Sequence, residues 1–155
     1  IANASEHDPY GDTTHLPERH IHMMERRFSK LKLLEDGEFE SFNTEATIAV
    51  MPWGGSKGPT EEAYQLLQDH GQQVAWYYTM FLHPLPSKLL EVLLQKDLVL
   101  VPELNYQGQL SSYLRSLGVK AESITQYTGL PFNVENLTQR LEKRLGAGTR
   151  GMVNV

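Results

Sequence analysis

The sequence holds 155 residues, 40% hydrophobic and 21% charged, with a formal net charge of -5, which places it among ordinary globular chains with material for one core. Its negative balance argues against a nucleic-acid partner, since phosphate contacts need clustered Lys and Arg, and no apolar run approaches the ~20 residues that cross a bilayer, so no membrane partner is expected either. With no cysteine, the chain alone supplies no disulfide, no Cys-ligated zinc and no iron–sulfur centre; this and the lack of a signal peptide point to the cytoplasm.

The chain starts at Ile1 and runs straight into polar residues, which reads as a piece of something longer. Residues 1–45 form a leader. Its first part, with Asp8, Pro9, Gly11 and Asp12, is turn-rich and reads as an ordered linker. Pro17 suits a first helical position, and Ile21, Met24, Phe28 and Leu31 recur at helical spacing, so a helix is predicted over 17–34. Its apolar stripe is expected to pack on the rest of the chain, because a large side chain left in water forfeits ~1.5–3 kcal/mol. Residues 38–45 are open between loop and short edge strand.

From Ala46 to Gly146 strands and helices alternate. Strands are predicted at 47–52, 73–79, 98–102 and 122–126. Between them, 59–70 carries Ala63, Leu66, Leu67 and His70 on one face and stops at Gly71; 87–96 and 109–117 look alike, the second ended by Gly118. Asn133 can cap a last helix with the stripe Val134, Leu137, Leu141 and Leu145, stopped by Gly146, leaving 147–155 as a frayed tail. Such alternation implies right-handed crossovers and a parallel sheet covered on both faces, an α/β fold in three layers. No internal repeat is present, so a solenoid is excluded.

Two loops stand where a strand gives way to a helix. Trp53, Gly54, Gly55, Ser56, Lys57 and Gly58 permit close approach of another group, and free amides there could hold an anion; a P-loop is excluded, because Lys57 follows Ser56 instead of preceding it. The alternative is a tight packing turn. Glu103, Asn105, Tyr106 and Gln109 occupy the equivalent place after the third strand, at the edge where open α/β sheets put ligands or partners. Glu103 reads as a structural hydrogen-bonding group or helix-start anion before an acid–base group. His7, Asp8, Asp12, His15, His20 and His22 look metal-like only superficially, since residues two apart on a helix diverge.

Asn3 to Gly11 (NASEHDPYG), Met23 to Arg27 (MMERR), Trp53 to Gly58 (WGGSKG), Glu103 to Leu110 (ELNYQGQL) and Tyr127 to Phe132 (YTGLPF) resemble successive signatures of 2-oxoacid:ferredoxin oxidoreductase alpha subunits, in the family's order. Gly55 stands where that family often has serine, and Pro102 where it has an aliphatic residue. The resemblance implies a domain like the C-terminal domain of transketolase, with a mainly parallel sheet of about five strands, the fifth usually antiparallel at one edge. It implies a pyrimidine-binding domain before it in the same subunit, a beta subunit, and ferredoxin as an indirect partner. The leader looks closest to the 2-oxoglutarate branch. Thiamine diphosphate, magnesium and iron–sulfur clusters are implied on other domains or subunits, and no Gly-Asp-Gly tripeptide for the diphosphate occurs here. Under this reading the domain is architectural, without catalytic residues, and Trp53, Gly54, Ser56, Lys57, Glu103, Asn105, Tyr106 and Gln109 are interface or ligand contacts. The competing reading is an autonomous flavodoxin-like module that binds a phosphate-bearing ligand at 53–58. A third, a histidine-metal hydrolase, rests on the leader histidines alone.

Overall fold

The computed structural model describes residues 6–151, with side chains through Gly146, so Asn3 to Ser5 of the first signature and the last four tail residues lie outside it. The leader is less of a linker than its composition suggests. β1 (Glu6–His7) and β2 (Thr13–Thr14) pair antiparallel across a turn in which Asp8 Oδ1 accepts the amides of Tyr10 at 2.9 Å and Asp12 at 3.0 Å. α1 (Pro17–Leu31) follows with Pro17 in its first turn, and a 3-10 turn covers Lys32–Leu34.

Two predicted faces need correction. α1 has no buried residue: Ile21 and Phe28 are 58% and 60% exposed, while Met24 and Leu31 are half-buried. The period fixed which side of the helix is apolar, but the helix meets its own hairpin through Arg27 Nη2 and Glu6 Oε1 at 2.5 Å instead of lying on the sheet. On the second helix the buried stripe is Thr60, Ala63, Tyr64 and Leu67; Leu66 is half-buried and His70 exposed, its ring reaching Glu142 at 2.6 Å.

The body is a five-stranded sheet in the order β3-β5-β4-β6-β7. β4 (Ile48–Val50), β5 (Ala75–Tyr78), β6 (Leu98–Glu103) and β7 (Ala121–Thr125) run parallel, and β3 (Glu40–Phe42) pairs antiparallel with β5 at one edge. The ambiguous 38–45 stretch thus supplies the fifth strand. α3 (Ser87–Leu94) and α4 (Gln109–Ser116) bury Leu89, Leu93, Leu110 and Leu114 on one face against Ala49, Tyr77, Val99 and Val101. α2 (Lys57–Asp69) and α5 (Val134–Gly151) bury Leu67, Leu137 and Leu141 on the other against Val50, Trp76 and Leu100. Strand residues alternate between the two cores, which is why these strands read as nearly continuous apolar runs.

Three helix ends follow the predicted local chemistry and one does not. Gly71 and Gly118 adopt φ of +75° and +92° and close α2 and α4. Asn133 Oδ1 accepts the Asn136 amide at 2.9 Å and caps α5. Gly146 does not stop that helix, which continues to Gly151; an interior glycine costs only ~1 kcal/mol, less than the helix gains from its buried stripe.

Candidate functional site

β4 is central, and the chain leaves it toward β5 on one side and reaches β6 on the other. Crossovers in opposite directions open a crevice at the strands' C-terminal ends. Both predicted loops leave the sheet there. Trp53, Gly54, Gly55 and Ser56 from one, with Leu104, Asn105 and Gln109 from the other, line a single cavity of about 210 Å³. The joint between them is Ser56: its Oγ accepts the Trp53 amide at 3.1 Å and lies 2.8 and 2.9 Å from the carbonyls of Trp53 and Pro102, so one buried hydroxyl ties both strand ends.

The second loop is built around Glu103, which has no exposed surface. Its Oε2 accepts the Leu110 amide at 2.8 Å and Asn105 Nδ2 at 3.0 Å, and its Oε1 accepts the Ser111 amide at 3.0 Å. The carboxylate therefore caps the positive end of α4, where unpaired amides need an acceptor. Asn105 Oδ1 accepts the amides of Gly108 at 2.7 Å and Gln109 at 3.3 Å, closing the loop. Gly108 sits at φ +65°, and a Cβ there would meet Ser111 and Ser123 at 2.9 Å, so only glycine fits this packing.

Two predicted residues turn elsewhere. Lys57 donates to Glu40 Oε1 at 2.7 Å, stands 4.2 Å from the Tyr78 ring and lines a separate cavity of about 520 Å³ beside β3. The hydrogen bond to Glu40 is the main reason that its pKa lies above the ordinary 10.5. Tyr106 is exposed and meets the Tyr127 ring edge-on, centroids 4.9 Å apart. Gln109 and Trp53 also border a second, apolar cavity of about 250 Å³, whose other walls are Leu82, His83, Leu110 and Tyr113. His83 Nδ1 lies 3.1 Å from Tyr113 Oη. Leu82, His83 and Tyr113 were not singled out from sequence. For Leu82 and His83 the signal was available in the topology, since the loop after β5 must emerge at the same sheet edge as the other two.

No family model matches the chain. It is 32% identical over 153 residues to the alpha subunit of 2-oxoacid:ferredoxin oxidoreductase 2 of Aeropyrum pernix, a match covering 91% of this chain and 24% of that protein. It is also 32% identical over 130 residues to the 2-oxoglutarate oxidoreductase subunit KorA of Mycobacterium tuberculosis, covering 82% of this chain and 20% of the relative. Among solved structures, a 2-oxoglutarate:ferredoxin oxidoreductase from Magnetococcus marinus, with 2-oxoglutarate, coenzyme A and succinyl-CoA bound, superposes with a TM-score of 0.78 at 31% identity over 94% of this chain and 26% of that one. The chain spans about a quarter of the length of the relatives it matches. Agreement in sequence and in overall fold places it in the family of 2-oxoacid:ferredoxin oxidoreductase alpha subunits, where it corresponds to the C-terminal part.

Proposed function

We propose that the chain serves as the non-catalytic, architectural C-terminal domain of a thiamine-diphosphate-dependent enzyme that oxidatively decarboxylates a 2-oxoacid to an acyl-CoA and passes the electrons to ferredoxin. Its immediate contacts on this reading are the pyrimidine-binding domain of the same subunit and the beta subunit, with ferredoxin reached only through them, in the cytoplasm. 2-oxoglutarate is the proposed oxoacid, the substrate named for two of the matched proteins.

The observation that carries the architectural role is the shared cavity of the 53–56 and 104–109 loops, whose accessible groups are an indole, a leucine and two carboxamides. That mixture suits a protein contact, with aromatic and apolar area ringed by hydrogen-bonding groups. Among the described residues Glu103 is the one buried carboxylate, and it is fully committed to the fold. Side chains here do not fit the enzyme's cofactors. There is no cysteine for iron, and both oxygens of the buried carboxylate accept hydrogen bonds from within the loop and α4. No reaction step is assigned to this chain. The phosphate-binding alternative at 53–58 loses its cation, because Lys57 is held by Glu40.

The test is Leu104→Glu in the full enzyme, read by size-exclusion chromatography and by 2-oxoglutarate-dependent dye reduction. Leu104 is 40% exposed, so the variant folds and the expected result is lost assembly with unchanged turnover per assembled enzyme. Intact assembly with an altered KM would make the loops a ligand site and overturn the architectural role. So would turnover of any 2-oxoacid by the 155-residue chain alone.

A further inference from the structure

The sheet edge opposite β3 carries a basic cavity that shares no residue with the loop cavity. The β6–β7 ladder fixes which peptide groups of β7 point away from the sheet. Val99 N–H reaches the Lys120 carbonyl and Gln126 N–H reaches that of Glu103, so even-numbered residues face β6, and Ala121, Ser123 and Thr125 face out. Arg115 Nη1 donates to the Ala121 carbonyl at 3.0 Å, and Arg140 Nη2 to that of Thr125 at 2.8 Å. Between them Ser123 presents its peptide group, while its side chain turns to the α4 face, against Gly108. Beside it lies a cavity of about 300 Å³ lined by Ser123, Ile124, Arg140, Lys143 and Arg144.

Residues 140, 143 and 144 share one face of α5, because positions three and four apart are neighbours on a helix. One carboxylate offsets them: Glu122 Oε1 pairs with Arg144 at 2.8 Å. Lys143 has no ion pair among the described residues. Three cations and one anion leave two positive charges at this edge, on a chain whose formal net charge is -5. Burial, and then the neighbouring Arg144, lower the pKa of Arg140 below its ordinary value. Positive charge is thus held here with one of three cations paired and Arg140 partly desolvated, a cost that a bound anion reduces.

We infer that this cavity is a binding site for a phosphate monoester group. A carboxylate brings one negative charge, whereas a phosphate monoester brings about -1.5 to -2 at neutral pH together with three acceptor oxygens. Those oxygens match the donors present: a guanidinium fork on Arg140, the Lys143 ammonium and the outward Ser123 amide. The volume reaches the lower end of small-molecule sites, about 300 Å³, leaving room for part of the group that bears the phosphate.

The experiment is a titration of the 155-residue chain with inorganic phosphate at neutral pH, followed by amide NMR, with acetate at equal ionic strength as control. Saturable shifts at Ser123 and around Lys143 are expected, with weaker, unsaturated shifts for acetate. Lys143 is exposed, so Lys143→Glu keeps the fold; it is expected to weaken phosphate binding at least about tenfold, whereas Lys143→Arg retains it, since one lost charge-assisted hydrogen bond is worth ~1.5–3 kcal/mol. Absence of saturation in the wild type, equal affinity in Lys143→Glu, or equal binding of acetate would each overturn the assignment. Assembly and turnover of the full enzyme play no part in this readout, so its failure is separate from failure of the architectural role.

Discussion

A carboxylate with no exposed surface must find its partners inside the protein, and Glu103 finds them in the amides of Leu110 and Ser111 and in Asn105 Nδ2. Glu103→Ala leaves two buried amides without acceptors, so a loss of about 3 kcal/mol is expected in urea unfolding; a loss under ~1 kcal/mol would show that the cap is supplied otherwise. The sequence marks Glu103 as a polar group at a strand end beside a helix start, and a structural role is readable from that. Lys57 is different. A long side chain goes to the strongest partner in reach, and that partner, Glu40, lies on a strand that the sequence leaves ambiguous. Lys57 also sets a pH dependence with Tyr64. The hydrogen bond from Lys57 to Glu40 raises its pKa above 10.5, and burial raises that of Tyr64 above 10.0. Both groups hold their proton more tightly folded than unfolded, so their contribution is whole below the unfolded values and lost as pH climbs through the folded ones. Urea midpoints should therefore fall as pH rises above about 10, the ordinary tyrosine value, and fall less steeply in Lys57→Met. A midpoint that rises over that range would contradict both assignments.

Elements were legible where a period and an end signal coincide. α2 and α4 end at left-handed glycines, and α5 begins at an Asn cap, as side-chain chemistry dictates. β3 was legible only as an open question, because three residues with a mostly exposed pattern carry almost no periodicity. α1 teaches the complementary lesson: amphipathicity states which face is apolar and says nothing of what covers it. Since Ile21 and Phe28 do not rest on the body, Ile21→Ser with Phe28→Ser should leave the unfolding free energy of the sheet domain within ~0.5 kcal/mol. Leu137→Ala, from a fully buried position in α5, should cost ~2–5 kcal/mol in the same assay. Equal losses in the two variants would mean that α1 is seated on the core in solution.

At the scale of the molecule, the alternation of apolar strands and capped helices was enough to read a three-layer α/β fold with a parallel sheet, while the central place of β4 and the meeting of two loops fifty residues apart rest on the strand order. The cavity walls from Leu82 and His83 were less legible, since they leave the same edge without any glycine or polar cluster to mark them. Nor does charge counting over the whole chain reveal the basic edge: the chain is acidic as a whole, while Arg140, Lys143 and Arg144 share one face of α5 beside β7. That edge bears on how the protein behaves when crowded with copies of itself. A sheet grows into fibrils by adding strands to an open margin, and it needs several consecutive free peptide groups to begin. One margin here is only three residues long. On the other, Arg115 and Arg140 cover the carbonyls of Ala121 and Thr125 and the Ala121 amide turns back to Val119, with Ser123 between them. Arg115→Gln with Arg140→Gln should uncover the margin and shorten the lag before thioflavin-positive aggregates form at equal concentration. An unchanged lag would mean that shortness of the strands alone, rather than the two guanidinium groups, keeps the sheet from propagating.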